Sequence, residues 1–169
     1  MVWVVVFWRL GAFSLLDPDE AHYAQLTREM LRTHRWLVPL RDGAPYIDKP
    51  VLFHWLQAAA VGVVGDSELA LRLPSACAAM ALSAVVWWLG TQLFGRRTGT
   101  RGAVMFATLP LTFVLASVGL FDMVFGAFLF SAIACLLVAA LRHRPTLEYA
   151  GWPLLTRSEE RRVGKECRL

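Results

Sequence analysis

Asp17, Asp19 and Glu20 stand almost side by side, and Asp48 and Lys49 return an acid and a cation further along the same polar stretch. A carboxylate can take the proton of an attacking nucleophile, and an amine can neutralise an anionic leaving group. The same acids also suit a helix start. Asp17 can cap, Pro18 fits the first helical position, and Glu20 falls three residues after the cap. Capping accounts for Asp17 and Glu20. It accounts less well for Asp19, where a dipole contribution of about 0.3–1 kcal/mol is all that the position offers. Asp19 therefore keeps two readings, a helix-start charge and a general base. Lys49 likewise reads as an interfacial lysine laying its stem on apolar surface, with Asp48 as an exposed partner that contributes little. Asp122 lies between two long apolar runs. Carboxylates near membrane depth are costly and are usually functional or paired, whereas a loop-tip acid sits in water; both readings stay open. His22, His34 and His54 have no spaced partner, so no metal site is expected. Cys77, Cys135 and Cys167 have no metal-ligand spacing either.

The elements that carry these groups follow from composition. Of the 169 residues, 57% are hydrophobic and 18% charged, and the mean hydropathy is +0.50. Soluble domains are more charged and less apolar, so the chain reads as a membrane protein. The net charge of +4 comes partly from the last residues, 157–169, without which it falls to +2. No basic stripe with interleaved aromatics supports nucleic-acid binding. Crossing the hydrocarbon layer takes about 20 apolar residues. Residues 74–94, 102–121 and 123–141 meet that length without a charge between them. Residues 1–16 are short, are interrupted by Arg9, and read as the end of a first span whose beginning is missing. Arg96, Arg97 and Arg101 precede the third span, and Arg142 and Arg144 follow the fourth, with His143 between them as an end charge. Positive clusters mark cytoplasmic ends. Two crossings separate these, so both fall on the cytoplasmic side and Asp122 faces the other.

Residues 17–50 form the expected extracytoplasmic loop. After the helix start, Tyr23, Leu26, Met30 and Leu31 recur at helical spacing, with Gln25, Arg28, Glu29 and Arg32 on other faces. This is a short amphipathic helix of the kind that lies along a membrane surface, and Trp36 behind it suits the lipid–water boundary. A turn is expected at Arg41-Asp42-Gly43. Residues 51–65 are apolar but short for a crossing, so they are expected to be interfacial or re-entrant.

Five blocks in one order then carry a resemblance: Asp17-Pro18-Asp19-Glu20-Ala21-His22-Tyr23, Arg28-Glu29-Met30, Trp36-Leu37-Val38-Pro39, Tyr46-Ile47-Asp48-Lys49-Pro50 and Leu71-Arg72-Leu73-Pro74-Ser75. Together they resemble the first extracytoplasmic loop and following span of polyprenyl-phosphate-dependent glycosyltransferases of the GT-C fold. That group includes protein O-mannosyltransferases, lipid A aminoarabinose transferases and glycosyltransferase family 39 proteins. Asp122-Met123 is a weaker match, with Phe121 where relatives often carry threonine. The resemblance implies an all-α integral membrane fold in the bacterial inner (plasma) membrane, with the site outside the cytoplasm. It implies transfer of a sugar from a polyprenyl phosphate, with inversion, to a protein, lipid A or glycan acceptor. By similarity Asp19 is the base, Glu20 assists it, and Lys49 pairs with the donor phosphate, with Asp48, Tyr23 and Asp122 in support. His22 stands where many relatives have arginine, and Asp48 where the aminoarabinose transferases have glutamate. That shorter acid lends no support to a divalent metal.

Residues 157–169 break from the preceding composition and resemble a translated sequencing adapter. Residues 1–156 are accordingly expected to be the amino-terminal part of a longer GT-C enzyme. The alternative is a small non-catalytic membrane protein or transporter fragment in which Asp19 and Lys49 are interfacial charges.

Overall fold

The computed structural model describes residues 2–15, 19–41, 44–46, 50–142 and 151–153. It is an all-α membrane protein apart from one very small hairpin. In chain order come α1 (Val2–Arg9), α2 (Asp19–Thr33), β1 (Leu40–Arg41), β2 (Ala44–Pro45), α3 (Leu52–Val64), α4 (Glu68–Phe94), α5 (Arg96–Thr108), α6 (Pro110–Ser117) and α7 (Phe121–Arg142). β1 and β2 pair antiparallel with Leu40 opposite Pro45, and the Tyr46 amide closes the hairpin onto the Pro39 carbonyl at 2.8 Å.

α4 and α7 are each long and apolar enough to cross a membrane. α4 begins at Glu68, earlier than the expected span, because Ser67 caps it by accepting from the Ala70 amide at 3.3 Å. Pro74 sits early in α4, where the bond it removes falls within the first turns. The expected single span over 102–121 is instead two helices, α5 and α6, bent by 61° at Leu109. Pro110 is the cause. It starts α6 at a position that needs no amide proton, and it forces Leu109 out of helical geometry to φ −61°, ψ 131°.

α4 is the central helix. α5 folds back along it, with Gly90 opposite Gly99 and Val86 opposite Gly102. A methyl on Gly99 would meet the Trp87 carbonyl at 2.7 Å and the Thr91 amide at 2.6 Å, so only glycine permits this approach. Val6 of α1 and Leu10 just after it pack with Ala76, Ala79, Ala116 and Met123 to form one core cluster. A second cluster joins Tyr23, Phe53, Phe121 and Val124.

The helices have two chemically distinct ends. At one lie the start of α4, the end of α6 and the start of α7. At the other lie exposed Arg96 and Arg97 of α5 and the end of α7, where Arg142 donates to the Gln92 carbonyl at 2.7 Å. α3 stays at the first end. Phe53 near its start meets Phe121 edge-on, and Gly65 to Ser67 link its finish directly to α4.

Candidate functional site

Arg72 is fully buried at the first end of the bundle and organises everything around it. A guanidinium has five N–H donors, and each of them is met here. Nε donates to Glu20 Oε1 at 2.6 Å and one terminal nitrogen to Glu20 Oε2 at 2.9 Å. The same nitrogen reaches the Ser14 carbonyl at 3.0 Å, and the other donates to the Leu10 and Phe13 carbonyls, both at 2.8 Å. The Phe13 ring lies 4.1 Å from the guanidinium carbon, adding a cation–π contact. The segment leaving α1 is thus wrapped around one arginine, and its carbonyls need no secondary structure to be satisfied.

Glu20, in the first turn of α2, is equally buried. Its Oε1 also accepts the Gly119 amide at 2.8 Å. A methyl on Gly119 would lie 3.2 Å from both that oxygen and the Leu71 carbonyl, so the turn before α7 leaves little room for a side chain there. Ser75 donates to the Leu120 carbonyl at 2.9 Å and fixes the same turn to α4. A single carboxylate therefore ties α2 to α4 and to the entry of α7. Beyond any role at the helix start, the Glu20 carboxylate is engaged by Arg72 and the Gly119 amide.

Asp19 precedes it on α2 and is exposed. Successive helical residues diverge by about 100°, so burying Glu20 turns Asp19 outward. Asp122, in the first turn of α7, is exposed as well, at the same end of the bundle and three residues past the glycine that Glu20 holds. Its exposure is compatible with both of its sequence readings, a functional carboxylate and a loop-tip acid. Asp17, Asp48 and Lys49 lie outside the described residues.

Tyr23, one turn beyond Asp19, is buried. It meets Phe53 edge-on at 5.8 Å, and His54 and His22 at 6.0 and 6.1 Å between ring centroids. His22 also meets Tyr46 at 5.2 Å, which brings the strand before Lys49 against the helix that carries Asp19. Beneath these rings runs a buried polar chain. The Thr27 hydroxyl donates to Gln57 Oε1 at 2.7 Å, and Gln57 Nε2 donates to the Leu71 carbonyl at 2.8 Å. Thr27 has no second proton, so it accepts from His54 Nδ1 at 3.0 Å, which places the imidazole proton on Nδ1. His54 Nε2 is then a lone-pair acceptor, buried and without a partner among the described residues. Burial, and secondarily the neighbouring His22, lower the His54 pKa to about 4. Among the described residues no three His, Cys, Asp or Glu side chains converge as a metal site would require.

Between α3, α4 and α7 runs an apolar groove of about 640 Å³, lined by Leu56, Val63, Leu73, Cys77, Ala81 and Phe128 among others. Sequence reasoning quoted Arg72 and gave it no role. Its signal was there, a lone arginine beside a long uncharged run, where charge persists only when paired. His54, Thr27 and Gln57 offered no such signal, because they come together only when α2 lies on α3.

Residues 48–156 match the family described as dolichyl-phosphate-mannose-protein mannosyltransferase. An undecaprenyl phosphate-α-4-amino-4-deoxy-L-arabinose arabinosyl transferase from Yersinia enterocolitica is 34% identical over 72% of this chain and 22% of its own length. The enzyme of that name from Erwinia tasmaniensis is 29% identical over 84% of this chain and 26% of its own. The chain thus spans about a quarter of the length of these curated relatives. Crystal structures of ArnT from Cupriavidus metallidurans share the fold. The apo form superposes at a TM-score of 0.76 with 25% identity, over 79% of this chain and 25% of that one. The form bound to undecaprenyl phosphate superposes at 0.89 with 23% identity, over 98% of this chain and 32% of that one.

Proposed function

The chain belongs to the dolichyl-phosphate-mannose-protein mannosyltransferase family, and from that premise we propose that it takes part in transferring a sugar from a polyprenyl phosphate to an acceptor outside the cytoplasm. Asp19 is the general base. It removes the proton of the acceptor nucleophile as that atom bonds to the anomeric carbon. The bond from that carbon to the phosphate oxygen breaks on the opposite face, so configuration inverts and polyprenyl phosphate departs with the electron pair. Lys49 and whatever cations join it neutralise the departing phosphate. Its closeness to Tyr46 in sequence supports this role, since Tyr46 packs on His22 of the Asp19 helix. Tyr23, Asp48 and Asp122 support the site. The apolar groove between α3, α4 and α7 suits an isoprenoid tail.

The observation that carries this reading is the division of labour between adjacent acids. Glu20 is buried on Arg72 and Gly119, and that fixes exposed Asp19 at the end of the bundle that also holds Asp122. The names of the relatives favour an aminoarabinose donor over a mannose donor. The bacterial inner membrane, with this end outside the cytoplasm, is the placement we propose, supported by the arginines at the opposite end.

The test uses the full-length enzyme in membranes with two labelled donors, undecaprenyl-phosphate aminoarabinose and undecaprenyl-phosphate mannose. Asp19→Asn is expected to lower transfer by about 10²–10⁴-fold, the range for loss of a general base, with unchanged membrane content. Wild-type transfer by that variant would falsify the assignment.

A further inference from the structure

We propose that the loop after α2, a helix whose own apolar side chains Tyr23, Leu26 and Met30 are buried within the protein, is a wedge that inserts into the adjoining phospholipid leaflet and so fixes the depth of Asp19. The proposal needs a membrane-bound chain but not the catalytic role of Asp19.

Trp36, Leu37 and Val38 are exposed by 43%, 77% and 43%. Single exposed apolar residues are common and need no explanation. These three are consecutive, and they are held out from both sides. The Trp55 indole of α3 donates to the Trp36 carbonyl at 2.7 Å. On the other side Pro39 is fully buried, and its carbonyl takes the Tyr46 amide. A loop free to relax would fold Leu37 inward; this one is clamped at each shoulder with Leu37 at its crest. α2 ends at Thr33, and the φ of 54° at His34 lies in the left-handed region, a turn that sends the chain away from the helix axis.

Charge identifies what the crest meets. Arg35 is exposed beside Trp36, and Arg32 is 81% exposed one turn earlier, with only a 3.6 Å contact to Glu29. An apolar crest with a cationic collar and a tryptophan at its base matches a leaflet of acyl chains topped by phosphates. A protein partner would leave those two arginines to be paired or buried at a cost. Because α2 carries Asp19 at one end and leads into the wedge at the other, insertion there sets how far the acid stands from the headgroups.

The experiment places a nitroxide at Leu37→Cys in the full-length enzyme, with native cysteines replaced by alanine. The protein is reconstituted in phosphatidylethanolamine–phosphatidylglycerol vesicles or in phosphatidylcholine. Oxygen collisions are expected to exceed those of a water-soluble nickel chelate several-fold. Adding Arg32→Gln and Arg35→Gln is expected to make the label shallower in the anionic vesicles alone. A label open equally to nickel and oxygen places the crest in water and overturns the proposal. A label shielded from both places it against protein, with the same consequence. Unchanged depth in the Arg variants overturns the charge argument. Sugar transfer is read separately, so loss of the catalytic assignment leaves these outcomes intact.

Discussion

A helix advances about 100° per residue, so Asp19 and Glu20 leave α2 in different directions and meet different surroundings. Glu20 enters the protein, where Arg72 and the Gly119 amide surround it. Removing one member of a buried pair leaves the other charge uncompensated, at a cost of about 3–5 kcal/mol, whereas removing both can be neutral. Arg72→Met and Glu20→Met are each expected to lower thermal stability in detergent sharply, and the double variant less than the sum of the two. Strict additivity would show that the pair is not coupled. His54 supplies a prediction in pH. Its folded pKa, about 4, lies below the ordinary 6.5, so between those values the unfolded chain binds more protons than the folded one. Stability therefore falls as pH drops from about 6.5 to about 4 and loses nothing further below, a change on the order of 3 kcal/mol. His54→Gln should flatten that window, and an unaltered profile would assign the titration elsewhere. At this scale the helix start near Asp19 and Glu20 was legible in the sequence, because chemistry-bearing residues stand out against apolar runs. The partners of Glu20 were not, since Arg72 and Gly119 are remote in sequence and nothing local to either predicts the other.

Helix pairing here depends on small residues where backbones touch. Apolar helices gain no hydrophobic drive from meeting one another in lipid, so close backbone approach supplies much of the attraction. Gly99 is such a point, seated on Trp87 and Thr91 of α4. Gly99→Leu is expected to separate α5 from α4 and to lower the yield of folded protein in detergent, read by gel filtration. Gly62, which has open space around it, should accept alanine with no loss. Equal behaviour of the two variants would refute the packing argument. Hydropathy located the long elements, since about 20 uncharged residues have few alternatives in a membrane protein. It gave no account of the bend at Leu109, because an apolarity profile cannot see a missing amide proton. Pro110 carried that information, and its effect on the preceding residue is what separates α5 from α6.

Exposed charges differ between the two ends of the long helices, and the proposed orientation rests on that difference. Asp19 and Asp122 are exposed at one end, while Arg96, Arg97 and Arg142 are exposed at the other. α3 begins against Phe121 and ends at the start of α4. Near that point Asp66 pairs with Arg28 of α2 at 2.9 Å, so α2 and both ends of α3 stay with the acidic end. Arginine-rich segments are retained on the cytoplasmic side during insertion. The acidic end and the whole of α2 should therefore face outward together. With the native cysteines replaced, a membrane-impermeant thiol reagent added to intact cells is expected to label Asp122→Cys and Gln25→Cys. It should reach Arg97→Cys only after the membrane is opened. Labelling of Gln25→Cys and Asp122→Cys from opposite sides would mean that α3 crosses the bilayer. Glu20 would then be joining residues across a membrane, which a 2.8 Å bond to Gly119 does not allow. Labelling of all three from one side would remove the two-ended architecture, and with it the proposed placement of Asp19 outside the cytoplasm.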